Sequence, residues 1–395
     1  MKRSALIVIV LVVAVALVQL IRPVPSITVK STLPATYQVP GTPPAIPWPN
    51  QGEAALAVSG IGEIGHSGAQ VPVPIASVAK IMTALLVLEK HPLAPGENGP
   101  VLTITPSQAA TYQQEFAQGD SVTQVVAGEQ LTERQLLEAL MLPSADNIAL
   151  ILAKWTAGSV PAFTKMMNAK AKQLGLTNTI YTDPSGLAHS TVSTAQDQLK
   201  VAEAAMKIQA FRHIVRMPQA TLPVVGTVYN VDYALGSDGI IGVKTGSTPH
   251  DGGSFVFAAY KTVHGEKVLI IGCVLAQQAT SPLTAALDEG KTLVQDASDS
   301  IKTVNVAGVG LQGAQVQAPW TAPIPAQMAK SVSFVGWPGM DVQLHFHADK
   351  LGTSLANGAQ VANVQVTAGT QRATIPLTVS NAIRPPSYSW RLKRL

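Results

Sequence analysis

One cysteine, Cys273, stands in 395 residues, so no disulfide can form within the chain. It lies in the apolar run 268–275, which reads as a central strand and makes it a buried structural thiol rather than a nucleophile. The lack of disulfides leaves the compartment open, because a chain this long folds outside the cell without them. Charge is also sparse, with 13% Asp, Glu, Lys and Arg against 47% hydrophobic residues, which excludes a disordered chain. A net charge of +4 looks basic, yet no basic run is interleaved with aromatics, so nucleic acid is not an expected partner. His345 and His347 share one face of the alternating segment 341–349, but nothing marks out a third ligand, and no metal site is expected.

Apolar residues are concentrated at the start. Lys2 and Arg3 precede an apolar run over 5–21, interrupted only by Gln19, which is the pattern of an export signal. Because Leu17, Val18, Leu20 and Ile21 continue past the small-residue site at Ala14-Val15-Ala16, the run reads as an uncleaved membrane anchor rather than a cleaved signal. Eight prolines follow over 22–50, a density that excludes helix and sheet interiors and implies an extended spacer. The expected organisation is therefore an export segment at 1–21, a spacer at 22–50, a main domain at 51–302 and a β-rich domain with a basic tail at 303–395. The last assignment rests on short alternating segments rich in Gly, Pro and Thr.

Within the main domain, Ser77 opens a helix carrying Val78, Ile81, Met82, Leu85 and Leu86 at helical spacing. Lys80 follows one turn on, about 4.5 Å along the axis, which brings its amine within reach of the Ser77 hydroxyl. A serine hydroxyl becomes an effective nucleophile when a positioned base takes its proton, and a buried lysine can serve. Alone, the pair equally describes a helix cap with a lysine reaching solvent. Two further clusters stand downstream. Thr132-Glu133-Arg134-Gln135 is a capping-box sequence for a helix that stops at Pro143, after which Ser144-Ala145-Asp146-Asn147 leads into a second apolar helix. Taken alone, Ser144 is the N-cap of that second helix. The strand 240–247 then carries Lys244-Thr245-Gly246-Ser247, which alone reads as a strand running into a glycine turn.

In that order, Ser77-x-x-Lys80, the Ser144 cluster and Lys244-Thr245-Gly246 resemble the three motifs of penicillin-binding proteins and serine β-lactamases. Met166-Met167-Asn168, Leu174-Gly175-Leu176, Asp183-Pro184-Ser185-Gly186-Leu187 and Asp238-Gly239-Ile240 make the resemblance closest to D-alanyl-D-alanine carboxypeptidases, over about 50–300. The resemblance implies an α+β fold, an antiparallel sheet flanked by helices of the β-lactamase/transpeptidase type, with a small C-terminal β domain. It also implies acyl transfer without a cofactor: Ser77 as nucleophile, Lys80 as base, Ser144 as proton relay, and Lys244, Thr245, Gly246, Ser247 and Asn147 around the substrate. Peptidoglycan stem peptides would be the substrate and β-lactams the inhibitors, on the outer face of a bacterial membrane.

One position departs from the family, which usually has Asn two residues after the motif serine, where this chain has Asp146. The departure leaves open a catalytically weak wall-binding module. A class A-like β-lactamase is the other alternative, but it needs a glutamate to activate water, and the sole glutamate between Asn147 and Lys244 is Glu203, on the helix beginning at Thr194.

Overall fold

The computed structural model describes residues 2–394, with side chains over 5–394. It divides into two compact units, Pro44–Ile301 and a second one formed by residues up to Pro43 together with those from Lys302 onward.

The first unit is built on a five-stranded antiparallel sheet. Its strands are β1 (Glu53–Val58), β2 (Gly62–Ser67), β3 (Ile240–Thr248), β4 (Gly252–Val263) and β5 (Glu266–Gln277), in the spatial order β3-β4-β5-β1-β2. β4 and β5 read as nearly continuous apolar runs because helices cover both faces. They meet in a two-residue hairpin at His264-Gly265, both with positive φ, as this tight connection requires. Cys273 sits fully buried in β5 between Ala55 and Val256, and burial pushes its thiol well up. It is a core side chain.

The helices that matter for the site lie on one side of the sheet. A 3-10 turn, Ala76–Ala79, leads into α1 (Lys80–Lys90), which is buried from Lys80 to Leu88, as expected of a helix apolar on all sides. α3 (Glu133–Met141), α4 (Asp146–Ala157) and α5 (Ala195–Met206) pack around it, α2 (Pro106–Gln118) packs on α4, and α6 (Pro282–Ser300) covers β4 and β5. The capping box at Thr132 forms as expected: Thr132 Oγ1 accepts from Gln135 N, and Gln135 Oε1 accepts from Thr132 N.

The second unit is a seven-stranded antiparallel sheet plus a separate pair formed by Lys302–Ala307 and Val332–Gly336. Here the structure differs from the expectation of a spacer over 22–50. Thr28–Ser31 pairs with Gln312–Ala318, and Thr36–Gln38 pairs with Asp341–Ala348, so this segment supplies both edge strands of the sheet. The prolines keep these residues out of the sheet interior, but two short proline-free stretches between them are sufficient for an edge. His345 and His347 are both exposed on their strand.

Residues Lys2–Ile21 form a helix, and the side chains of Lys2 and Arg3 lie outside the described residues. Among the described residues no helix is long and apolar enough to cross a membrane, so the anchor expected over 5–21 is not supported. The run is 17 residues long with Gln19 included, about the lower limit of the length a bilayer needs. The basic tail forms a short helix, Tyr388–Lys393, with Arg391 donating to the Leu20 carbonyl and Arg394 to those of Gln19 and Pro23.

Candidate active site

Ser77 lies in the 3-10 turn, just after Ala76, whose φ of 46° is in the left-handed region. Such a conformation is costly for a residue with a Cβ, and here it turns the chain sharply ahead of the serine. Two glycines let other segments close on this turn. A Cβ on Gly246 would stand 3.0 Å from Ile75 O and Ser77 N, and one on Gly186 only 1.8 Å from Ala76 O. Neither position has room for a side chain.

Lys80 Nζ donates to three acceptors: Ser77 Oγ at 2.7 Å, Asp146 Oδ1 at 2.6 Å and the Ser185 carbonyl at 3.1 Å. The lysine is fully buried and its carboxylate partner nearly so. Three donated bonds use every hydrogen of an ammonium, so this geometry is that of charged Lys80 held by Asp146. The sequence brings Asp146 here by placing it at the first turn of α4, and Asp146 N is itself fixed by the Ser121 carbonyl at 2.7 Å.

The third acceptor comes from a loop organised by one carboxylate. Asp183 Oδ2 accepts from Ser185 N, Ser185 Oγ, Gly186 N and Leu187 N, while Oδ1 accepts from Thr191 Oγ1. Thr83 on α1 donates to Pro184 O at 2.6 Å, tying the loop to the helix that carries Lys80. Asp183 and the Ser185 carbonyl were not among the expected site residues. The available signal was an aspartate two and three residues ahead of Ser185 and Gly186, the spacing at which a carboxylate caps a turn.

Ser144 is buried and adopts φ 68°, but Ala145 rather than Ser144 is the N-cap of α4, and no side chain caps that helix. Asn147 is engaged elsewhere: its amide accepts from Thr123 N and donates to Thr123 O, both backbone groups of the loop after α2. One residue of helix turns a side chain by about 100°, so Asp146 and Asn147 cannot both face Lys80. Asn147 therefore pins the loop at Thr123.

On the far side, β3 presents Lys244, Thr245, Gly246 and Ser247. Lys244 is buried and donates to Thr245 O at 2.8 Å; burial, then the charge of Lys80, holds its ammonium well below the usual lysine range. Burial pushes Asp232, near Lys244, up to about 6. Ser77, Asp120, Asp146, Leu187, His189, Ser247 and His250 line a cleft of about 380 Å³. Buried Lys244 is not among the lining residues. Glu115 on α2 is pushed up to about 7 by burial and then by the charges of Asp146 and Asp120. Glu203, the candidate β-lactamase base, accepts from Gly60 N and Ser59 Oγ at the turn between β1 and β2, outside the cleft lining.

Comparison with known proteins agrees with this geometry. The family model for D-alanyl-D-alanine carboxypeptidase matches residues 64–278, more than half of the chain. A D-alanyl-D-alanine carboxypeptidase of a Streptomyces species is 36% identical over 217 residues, which are 51% of this chain and 71% of that one. The crystal structure of a Streptomyces DD-transpeptidase aligns with TM-score 0.53 at 28% identity, covering 66% of this chain and 98% of that one. Penicillin-binding protein 5 from Haemophilus influenzae aligns with TM-score 0.61 over 87% of this chain and all of its own, at 20% identity that speaks to fold alone. Family membership thus rests on sequence and fold together, and the chain belongs to the D-alanyl-D-alanine carboxypeptidase family of penicillin-binding serine hydrolases.

Proposed function

We propose that the chain removes the terminal D-alanine from peptidoglycan stem pentapeptides through an ester on Ser77. The observation that carries this reading is the 2.7 Å contact between Lys80 Nζ and Ser77 Oγ in a buried setting. In the reacting form, a neutral Lys80 amine accepts the hydroxyl proton as Oγ attacks the carbonyl between the last two D-alanines. The C–N bond then breaks, the leaving amine takes a proton by way of Ser144, and D-alanine departs. Water attacks the ester, restoring the Ser77 hydroxyl and releasing the shortened peptide. The backbone N–H groups of Ser77 and Ser247 are assigned to the oxyanion. Lys244 and Thr245 are assigned to the side of the substrate carboxylate.

Asp146 sets the pace in this scheme. Its carboxylate at 2.6 Å favours the ammonium form of Lys80, which cannot accept the serine proton. Lys244 opposes that bias, so a minor neutral form carries the reaction. The apolar run 5–21 is assigned to export, and the domain over 51–302 to catalysis on the outer side of the membrane.

The test is labelling of the full chain with a fluorescent penicillin, beside Ser77→Ala, followed by intact mass. Expected are one adduct on the wild type and none on the variant. Equal labelling of the variant, or an unlabelled but folded wild type, refutes the assignment.

A further inference from the structure

Two histidines and an aspartate stand together at the rim of the cleft and take no part in the acyl-transfer scheme. His189 lies in the loop that follows Leu187, and His250 and Asp251 lie in the turn between β3 and β4. One ligand atom from each of the three lies within 4.8 Å of the other two. His189 Nδ1 is 2.8 and 2.9 Å from the two Asp251 oxygens, and His250 Nδ1 is 3.3 Å from Oδ1. The rings are 5.2 Å apart between centroids and inclined by 54°, so they converge on the carboxylate rather than stack.

The carboxylate is prepared for this role. Asp251 is buried, at 4% side-chain exposure, while the two rings are 63% and 86% exposed. Thr248 Oγ1 donates to Asp251 Oδ2 at 2.8 Å, and Asp251 N donates to Thr248 Oγ1 at 2.9 Å, which fixes the acid's orientation from behind. A ligand held by a second hydrogen bond beneath two adjustable imidazoles is the arrangement metal sites use. Tetrahedral Zn²⁺ bonds of about 2.0–2.2 Å put donor atoms roughly 3.3–3.5 Å apart. The present separations require the His189 ring to open by about half an ångström, which an exposed ring on a loop allows.

We propose that His189, His250 and Asp251 form a site for one divalent transition-metal ion, Zn²⁺ by its imidazole and carboxylate donors, leaving the fourth position to water or a substrate oxygen. Two elements of the cleft wall meet in the site, since the loop of His189 also supplies Gly186 and Leu187, and the turn of His250 continues from Ser247. A bound ion ties them together, restricting the cleft and slowing acylation of Ser77. The coupling to acylation rests on the peptidase reading, whereas metal binding does not.

The experiment uses the full chain in detergent without a histidine tag. Zn²⁺ alone is titrated by calorimetry, with Mg²⁺ and Ca²⁺ as controls, and Co²⁺ absorption reports the donor set. Expected are one Zn²⁺ per chain, no displacement by Mg²⁺ or Ca²⁺, and affinity at least tenfold weaker in both His250→Ala and Asp251→Asn. His250 is exposed, so its variant stays folded even where Asp251→Asn does not. Penicillin labelling of the wild type should slow at least threefold with Zn²⁺ relative to chelator, with no such change in His250→Ala. A wild type that binds no Zn²⁺, or binds it as well in His250→Ala, overturns the site. Unchanged labelling of the zinc-loaded wild type overturns the coupling, and absence of labelling even with chelator is instead a failure of the peptidase reading.

Discussion

Replacing Asp146 by asparagine keeps the shape of the side chain and an oxygen for the 2.6 Å bond from Lys80, and removes only the charge. Two unit charges about 4 Å apart at an effective dielectric constant of about 20 attract by about 4 kcal/mol, which is the bias the carboxylate places on the ammonium form. Lys80 is fully buried, and a buried ion stripped of its partner costs about 3–5 kcal/mol unless it sheds its charge. The asparagine variant relieves that cost by releasing the lysine proton. If about a third of the bias appears in the rate, acylation becomes about tenfold faster at neutral pH, since 1.4 kcal/mol is a factor of ten. The assay is the second-order rate of penicillin acylation between pH 6 and 9, with Lys80→Ala as the inactive reference. An asparagine variant acylated at the wild-type rate or more slowly at pH 7 refutes the argument and makes the carboxylate a participant in proton transfer.

Three other outcomes follow from the same geometry. Gly246→Ala places a methyl group 3.0 Å from Ser77 N and forces β3 off the nucleophile turn, so penicillin labelling falls at least about tenfold while circular dichroism stays that of the wild type. Asp183→Ala leaves Ser185 N and Gly186 N without their acceptor, costing about 2–4 kcal/mol in denaturant unfolding and slowing acylation; an unchanged midpoint counts against the loop's role. Glu133 is buried, its carboxylate oxygens meet no hydrogen-bond partner, and burial pushes it up to about 7. Its folded value is raised above the unfolded one, so its contribution is fully present below about 4.5 and is lost as pH rises through about 7. Glu133→Gln should therefore gain melting temperature relative to the wild type between pH 5 and 8, and a difference flat with pH counts against a titrating Glu133.

What the sequence makes legible is whatever is local. The Ser77–Lys80 contact follows from helical spacing, the Thr132 capping box from four residues, and the His264-Gly265 hairpin from two apolar runs and a glycine. α2 had the same kind of local signal: Thr105 and Gln108 form a capping box around Pro106, but few apolar residues mark its face and only Tyr112 is buried. Reading hydrophobic periodicity alone passes over such a helix. The edge strands at 28–31 and 36–38 are a different case, because their partners lie hundreds of residues away and nothing in three or four polar-flanked residues names them. The site divides along the same line. Ser144, Asp146 and Asn147 are adjacent, and choosing which faces Lys80 requires the phase of α4, which is set where the Asp146 amide meets Ser121 and the Asn147 amide meets Thr123. Both anchors belong to a loop that shows no periodic pattern. The charge that most affects the nucleophile is therefore placed by a segment whose sequence gives no sign of it, and a substitution at Thr123 that frees Asn147 should alter acylation without touching any cleft residue.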